Sequence, residues 1–231
     1  MLINSRPVRA TLQYLAAENS GAAVYHASQA GGVAADHDGS YDMREVEIRD
    51  GRGETFDLDS AGFMLADHAS SVTDWHDDAV LSQIYEAEAK ALVRRITGAR
   101  RIEVFDHTRR AASDSLRRNQ VMREPSSVIH NDYTPWSAER RLCDILPGEA
   151  EMLLSRRFAI VNIWRSIAGR VETNPLAFCD SRTLAEGDLV EVTRQAKDRI
   201  GQIQMAHFNP DHDWVYFPAM EEGEVLSLIH I

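Results

Sequence analysis

The chain has few cysteines, no long apolar run and no apolar leader. Cys143 and Cys179 are the only two cysteines among 231 residues, and they form no CxxC pair. Two such cysteines argue against a disulfide framework and favour a reduced compartment. No run approaches the ~18 apolar residues expected of a transmembrane helix, and polar residues follow Leu2 and Ile3 at once, unlike a signal peptide. We therefore expect a cytoplasmic protein without a membrane partner.

Basic residues are also fewer than acidic ones. Lys and Arg number 25 against 36 Asp and Glu, which gives a formal net charge of −11. Nucleic acid is disfavoured as a partner, because phosphate neutralisation requires clustered basic residues. The sequence also lacks a Gly-rich loop that follows a strand and would suit a dinucleotide or S-adenosylmethionine.

The length and the hydrophobic content of 44% suffice for a sizeable core. The clearest predicted element is a helix over residues 78–97, with Asp77 or Asp78 at its start and Gly98 after its end. We expect one domain over residues 1–231, with N-terminal strands and this scaffold helix in 1–100 and the main β core in 101–231.

Alternating patterns predict several strands. They cover residues 8–15, a hairpin formed by 44–49 and 54–58, an alternating segment at 101–107, a strong strand at 157–165, and short strands from 175 to the end. Two short helices are predicted on either side of Pro147 and Gly148, and residues 19–35 are expected to be a flexible connection. Together these elements predict an α+β fold, a β-sandwich or barrel supported by helices.

Residues 128–134, Val-Ile-His-Asn-Asp-Tyr-Thr, contain the most informative pattern. In a strand, His130 and Asp132 point to one face, because side chains alternate with period two. A neutral imidazole and a carboxylate on one face are two of the three ligands that hold non-heme Fe(II) and leave other positions open. The His-x-Asp pattern is weak in isolation, and a solvated polar strand end is the plainer interpretation.

Five motifs in order strengthen the metal hypothesis. They are Glu-Val-Phe-Asp-His-Thr at 103–108 with Arg110, His-Asn-Asp-Tyr-Thr at 130–134, Val-Asn-Ile-Trp-Arg-Ser-Ile at 161–167, Pro-Leu-Ala-Phe-Cys-Asp-Ser-Arg at 175–182, and His-x-Trp-x-Tyr-Phe-Pro-x-Met at 212–220. In this order they resemble the AsaB-type hydroxylase/desaturase family, which is related to the cephamycin methoxylation protein and to fungal meroterpenoid oxygenases. The resemblance extends from about Val8 to the last residues.

The resemblance implies a double-stranded β-helix (jelly-roll) oxygenase of secondary metabolism. It would use Fe(II), 2-oxoglutarate and O2 to hydroxylate or desaturate a small organic molecule, with His130 and Asp132 as the first two metal ligands. In that family a distal His follows the 212–218 segment after a further strand, whereas this chain ends at Ile231. The resemblance thus implies a missing third ligand and missing last strands. We expect a C-terminally truncated fragment that is poorly active or inactive.

Other functions stay open at this point. A non-catalytic jelly-roll binding or scaffold protein is the main alternative. A methyltransferase is a third interpretation, since some members of the family carry that name.

Three downstream histidines are available as a substitute third ligand. His212 favours a structural or supporting role, since it belongs to its own motif and shares a face with Trp214 and Tyr216. His230 is too close to the chain end to be expected as a ligand, and His207 carries no further indication. Upstream, His107 is either a polar core residue or a support of the site.

Two arginines are candidates for binding 2-oxoglutarate, because a guanidinium matches a carboxylate. Arg165 and Arg182 each have two interpretations, a ligand clamp or an ion-pair partner within the protein. Asp180 is the expected protein partner.

Large aromatic side chains are predicted to line an apolar substrate pocket, with plain core packing as the alternative; they are Tyr133, Trp164, Trp214 and Tyr216. The arginine pairs at 109–110 and 117–118 are expected on a solvated or flexible face.

Overall fold

The computed structural model describes residues 7–18, 24–27, 29, 35–120, 122–196 and 199–230. Within them the secondary structure is rich in strands. The strands are β1 (Val8–Leu15), β2 (Val24–His26), β3 (Asp36–His37), β4 (Tyr41–Asp50), β5 (Phe63–Asp67), β6 (His130–Asn131), β7 (Ile160–Trp164), β8 (Ala177–Cys179), β9 (Leu189–Ala196), β10 (Arg199–Ala206), β11 (Trp214–Tyr216) and β12 (Glu224–His230). The helices are α1 (Asp78–Val80), α2 (Glu86–Thr97), α3 (Asp114–Asn119), α4 (Pro135–Ile145) and α5 (Ala150–Leu154).

The described strands form three sheets, and each sheet joins early strands to late ones. Their orders are β1-β4-β11-β8, β3-β2-β9-β10-β6 and β5-β12-β7. Most neighbours are antiparallel, but β11 runs parallel to β4 and β2 runs parallel to β9. Pairing across such sequence distances assembles the β core from both ends of the chain.

The predicted scaffold helix is confirmed. Asp77 accepts hydrogen bonds from the backbone amides of Ala79 and Val80, and Gly98 ends α2 in the left-handed conformation with φ 69°. Between α1 and α2 the backbone makes a π-helical turn at Leu81–Tyr85. Leu81, Tyr85 and Ala89 are buried on the side that packs against Trp75 and Ile163.

Two strand predictions and the prediction of a flexible connection are corrected. Residues 54–58 form no strand, because β4 pairs with β1 and β11 and leaves no place for a hairpin partner. Residues 101–107 are irregular, and α3 lies in the basic stretch that follows. The segment expected to be a flexible connection contains β2, which pairs with β9, and the rest of it lies largely outside the described residues.

The apolar core lies between the sheets in several clusters. One is centred on Phe63, Phe178 and Phe217, whose rings stack or meet edge to face. A second surrounds Tyr14 and Trp214. No helix in the described parts of the chain is long and apolar enough to cross a membrane.

Candidate functional site

The short strand β6 is held from both sides, which places His130 at the edge of a sheet. His130 and Asn131 pair with Met205 and Gln204 of β10. On the other side the amide of Ile129 donates to the carbonyl of Gln13 in β1 at 3.1 Å. The segment that carries the His-x-Asp pattern is therefore fixed between β1 and β10.

The chain direction after Asp132 is set by the start of α4. Thr134 is the N-cap residue, and its side chain and that of Ser137 form a reciprocal capping box. Both residues are buried, and Gln202 accepts hydrogen bonds from each of them. Asp132 is thus held between a strand and a capped helix, although it lies just past the strand itself.

His130 and Asp132 turn toward each other, as expected from the alternation. His130 Nε2 lies 3.4 Å from Asp132 Oδ1. His130 Nδ1 lies 2.8 Å from the carbonyl oxygen of Val128. In the neutral imidazole that donates Nδ1–H to this carbonyl, Nε2 carries the lone pair that a metal ion would take. This is the orientation that metal-binding histidines adopt.

Asp132 is oriented by a residue from another sheet. Asn162 of β7 donates from Nδ2 to Asp132 Oδ2 at 2.6 Å. The bond leaves Asp132 Oδ1 as the oxygen that faces His130. Asn162 therefore orients the carboxylate of Asp132, just as the Val128 carbonyl orients the imidazole of His130.

The two donor atoms fit a shared cation. Ligands on one small octahedral cation lie at about 2.1 Å from it, so neighbouring ligand atoms are roughly 3 Å apart. The observed 3.4 Å needs little adjustment. Beside the pair is a space of about 20 Å³, and one water-sized particle needs ~10–15 Å³ by the same measure. Within the described residues, no third His, Cys, Asp or Glu completes a metal-binding group.

The electrostatics of His130 are dominated by two opposing effects. Burial lowers its pKa, and the hydrogen bond and negative charge of Asp132 raise it. The net pKa lies above the ordinary value. The imidazole and the carboxylate are thus strongly coupled.

Three arginines surround this pair, and the sequence patterns did not predict them. Arg110, Arg123 and Arg194 line the space beside His130 and Asp132. Desolvation lowers the pKa of Arg110, Asp132 raises it, and the like charges of Arg123 and Arg194 lower it further, for a net pKa below the ordinary value. Arg110 is exposed, in line with the expectation of a solvated face, and it also lines the space beside His130 and Asp132. The backbone at 109–111 pairs with Arg123, which brings these two arginines together.

A larger space adjoins the smaller one, and we call the two together the cleft. The larger part has a volume of about 110 Å³. Tyr25, Arg110 and Ser126 line both parts. The cleft thus leads from the His130–Asp132 pair past Arg110 into a polar pocket.

The structure does not bring Arg165 to this cleft. Its guanidinium stacks on Trp75 at 4.7 Å and on Tyr85 at 5.7 Å. It also donates to the backbone oxygens of His68 and Glu222. The ligand-clamp interpretation is therefore corrected, because Arg165 joins helix, loop and sheet within the protein.

Arg182 is likewise held by the protein. It forms a bidentate pair with the buried Asp180, and the two are two residues apart on a tight turn. The hydrogen bond from Arg182 is the main reason that the pKa of Asp180 lies below its ordinary value. The ion-pair interpretation with Asp180 therefore applies to Arg182 and not to Arg165.

The predicted aromatic pocket is also corrected. Trp214 and Tyr216 are buried in the core cluster around Tyr14, and Trp164 packs against the phenylalanine cluster. Tyr133 accepts a hydrogen bond from Arg141 Nε at 3.2 Å. None of the four lines the cleft formed by the described residues.

The other histidines have protein partners instead of a place beside Asp132. His212 Nε2 lies 3.0 Å from Asp188 Oδ2, and its Nδ1 lies 3.3 Å from the Tyr14 hydroxyl. His207 Nδ1 lies 3.0 Å from the carbonyl oxygen of Leu15. His107 lies 3.5 Å from Glu86, near Tyr85. The side chain of His230 lies outside what the structure describes.

Four residues of the site escaped the sequence patterns: Asn162, Arg110, Arg123 and Arg194. Asn162 and Arg110 stand in two of the five motifs, so motif membership was a signal for them. Arg123 and Arg194 carry no local indication, since long-range pairing alone brings them together.

The comparisons with known proteins agree with one another. Residues 12–231 match the sequence model of the family described as oxidoreductase/YMDC permease-like domain. The chain is 29% identical over 216 residues to the hydroxylase/desaturase CTB9 of Cercospora beticola, which covers 81% of this chain and 65% of that protein. It is 30% identical over 192 residues to the Fe(II)/2-oxoglutarate-dependent dioxygenase nvfI of Aspergillus novofumigatus, which covers 78% of this chain and 67% of that protein.

The length of the chain differs from that of its relatives. The match to the oxidoreductase AN1597 of Emericella nidulans is 30% identical over 162 residues and spans 54% of that protein. The chain thus spans between about half and two thirds of the curated relatives that it matches first.

A solved structure shows the same fold. The iron and alpha-ketoglutarate-dependent endoperoxidase NvfI superimposes with a TM-score of 0.84 and 24% identity, over 96% of this chain and 83% of that one. The predicted α+β fold of the jelly-roll class is confirmed by this likeness.

Proposed function

We propose that this chain is an Fe(II)/2-oxoglutarate-dependent oxygenase. The premise is that it belongs to the family described as oxidoreductase/YMDC permease-like domain. It would hydroxylate or desaturate a small organic molecule, with O2 as co-substrate, in secondary metabolism. The main support is the convergence of His130 Nε2 and Asp132 Oδ1 at 3.4 Å. The names of relatives such as CTB9 and nvfI support the same function.

The residues of this chain would act mainly by positioning. His130 and Asp132 would hold the iron, oriented by the Val128 carbonyl and the Asn162 amide. When bound, iron with 2-oxoglutarate and O2 supplies the oxidising chemistry. The protein supplies fixed ligands and a partly enclosed cleft in which the substrate is oriented.

A non-catalytic jelly-roll binding protein is the second candidate. The observation that favours it is that no third metal-binding side chain joins His130 and Asp132 within the described residues. With two protein ligands, we expect weak iron binding by this chain. A methyltransferase receives no comparable support, and binding of S-adenosylmethionine would be its test.

Anaerobic Fe(II) titration of the chain tests the proposed function. We expect His130→Ala to weaken iron binding at least ten-fold. His76→Ala is the matched control, since His76 is exposed and does not line the cleft. Equal iron affinity in wild type and His130→Ala would overturn the assignment of the ligands. Succinate release from 2-oxoglutarate in the presence of iron then separates an oxygenase from a binding protein.

Location and domain organisation belong to the same proposal. Cys143 and Cys179 are both unpaired, which supports a reduced compartment such as the cytoplasm. The pairing of early and late strands in each described sheet supports one domain over residues 1–231.

A further inference from the structure

We propose that the contact between His68 and Arg165 is a pH-sensitive switch, which holds the helical layer against the sheet β5-β12-β7 at neutral pH and releases it in mild acid. The helical layer consists of the π-helical turn and α2, residues 81–97. The switch is independent of the proposed function, because neither residue lines the cleft.

Arg165 connects the ends of three strands to the helical layer. Arg165 follows the end of β7 and His68 follows the end of β5, on either side of β12. The guanidinium of Arg165 donates to the backbone oxygen of His68 at 3.2 Å and to that of Glu222, which precedes β12. It also lies over the rings of Trp75 at 4.7 Å and Tyr85 at 5.7 Å, where cation–π attraction holds it. Loss of Arg165 from this position would therefore disconnect the sheet from the helical layer.

The side-chain contact between the two residues requires a neutral imidazole. Arg165 Nη1 lies 3.2 Å from His68 Nδ1. A guanidinium has donors and no acceptor, so a hydrogen bond forms only when Nδ1 carries a lone pair. Protonation of His68 would place a donor against a donor and a cation against a cation. The contact would then change from attractive to repulsive.

Neither residue can move away without the loss of other contacts. The backbone amide of His68 donates to the carbonyl of Gly223 at 2.8 Å, which fixes the main chain beside Arg165. Withdrawal of Arg165 would give up its two aromatic contacts and its hydrogen bonds to two backbone oxygens. Movement of either side chain thus breaks the connection that the neutral form maintains.

The charged groups around His68 favour its neutral form. Burial and the positive charge of Arg165 lower the pKa of His68, and Arg95 of α2 lowers it further. Glu88 of α2 raises it through a backbone hydrogen bond and through its negative charge. However, the carboxylate of Glu88 already accepts hydrogen bonds from Ser70 Oγ at 2.5 Å and from the next amide at 2.8 Å. The net pKa of His68 lies below its ordinary value.

Other titratable groups also lie near this contact. Burial raises the pKa of Tyr85, so its hydroxyl stays protonated in mild acid. The carboxylate of Glu222 accepts a hydrogen bond from the amide of Gly169 at 2.7 Å. His107 contacts Tyr85 and Glu86, and its titration is common to wild type and to variants at other positions.

The direction of the pH effect follows from the lowered pKa. A histidine whose pKa is lower in the folded state contributes its full stability above its unfolded pKa of about 6.5. That contribution is lost as pH falls from about 6.5 through the folded pKa. Carboxylates ordinarily titrate in stronger acid, near pH 4, so the switch acts before the general acid response of the chain.

His68→Asn tests the switch, because Oδ1 of asparagine replaces the Nδ1 acceptor and takes up no proton in this range. His76→Asn is the matched control, since His76 is exposed and lies in the same segment between β5 and α1. The measurement is amide hydrogen exchange of residues 81–97 at about pH 7.5 and about pH 5.5, corrected for the intrinsic effect of pH. Between these pH values, we expect protection to fall at least about three-fold in wild type and His76→Asn, and less than about two-fold in His68→Asn.

NMR titration of His68 in the wild-type chain provides a second test that needs no folded variant. We expect a pKa below about 6.5, and a rise toward that value in Arg165→Met, which lacks the repelling charge. A wild-type pKa at or above 6.5 would overturn the proposal. So would unchanged protection of residues 81–97 in wild type, or an equal loss of protection in wild type and His68→Asn, because another group would then cause the acid response.

Discussion

At the scale of single residues, the candidate centre depends on two side chains and the groups that orient them. The Val128 carbonyl directs the imidazole of His130, and the Asn162 amide directs the carboxylate of Asp132. Both orienting groups act on the atom that faces away from the partner. The donor pair is therefore arranged before any metal binds, which reduces the cost of binding one.

Removal of the Asn162 amide should loosen Asp132. We expect Asn162→Ala to weaken divalent metal binding by about 10–100-fold, the effect typical of groups that orient metal ligands. The measurement is Co(II) titration followed by absorbance. Asn119→Ala, at the exposed end of α3, is the control. Co(II) affinity that is the same in both variants would contradict a positioning role for Asn162.

A second set of buried polar residues serves the fold and not the site. The Tyr14 hydroxyl accepts a hydrogen bond from Trp214 Nε1 at 2.7 Å and lies 3.3 Å from His212 Nδ1. Burial raises the pKa of Tyr14 to about 12. This hydroxyl joins β1 to β11 and to the segment before it.

Tyr14→Phe should destabilise the protein by about 1–3 kcal/mol, because two buried groups lose their partner. Equilibrium urea unfolding provides the measurement. Tyr216→Phe is the matched control, since Tyr216 is also buried and its hydroxyl forms no recorded side-chain hydrogen bond within the described residues. Equal losses of unfolding free energy in the two variants would argue against the importance of the Tyr14 hydroxyl.

At the scale of elements, the close approach of β4 and β11 depends on a glycine. Gly51 follows β4 and donates its amide to the carbonyl of Tyr216 at 2.9 Å. A Cβ at this position would lie 2.6 Å from Val215 Cγ1 and 2.9 Å from Phe217 Cε1. The two neighbours are fully buried, so they have little room to move away.

Gly51→Ala should therefore cost about 1–3 kcal/mol through overpacking of the core. Thermal and urea unfolding measure the loss. Gly148→Ala offers the opposite environment, since no atom lies within 4 Å of its Cβ position, and we expect a change within about 0.5 kcal/mol. A Gly51→Ala protein as stable as wild type would mean that β11 shifts freely.

At the same scale, patterns confined to one element predicted that element well. The helix start at Asp77, its end at Gly98 and the strand β1 followed from caps and alternation within a few residues. The hairpin at 44–58 failed because the partner of β4 is β1, which comes from far away in the sequence. Local turn chemistry cannot reveal such a choice of partner.

At the scale of the whole molecule, the excess of carboxylates determines the response to acid. Arg182 lowers the pKa of Asp180, and Arg52 lowers that of Glu224. Burial acts against ionisation of Asp188, but hydrogen bonds from the Ala185 amide, His212 and Asn209 prevail and lower its pKa. Each of these carboxylates stabilises the folded state when ionised.

Stability should therefore fall in acid. A carboxylate with a lowered folded pKa contributes stability above its unfolded pKa of about 4 and loses it as pH drops through the folded value. We expect the free energy of unfolding to decline below about pH 4, with a shallower decline in Asp180→Asn. Urea unfolding at several pH values measures this, and Asp211→Asn, at an exposed residue, controls for net charge. An unchanged slope in Asp180→Asn would remove Asp180 from the explanation.

Much of the candidate site was within reach of sequence reasoning, but not all of it. His130 and Asp132 could be singled out because period-two alternation places them on one strand face, and that alternation is a local property. The arginine candidates failed, since Arg165 and Arg182 have partners inside the protein. The aromatic candidates failed as well, because a large apolar ring looks the same in a sequence whether it lines a pocket or fills a core.

From its sequence alone this protein could be placed in its fold class, with its scaffold helix and the residue pair of the candidate centre, because these follow from periodicity, caps and the order of motifs. The arrangement of the cleft required the folded chain. Asn162 reaches Asp132 from a different sheet, and Arg110, Arg123 and Arg194 meet only when distant segments pack together. Contacts between segments depend on which strands pair, and strand pairing is a property of the closed fold and not of any one segment.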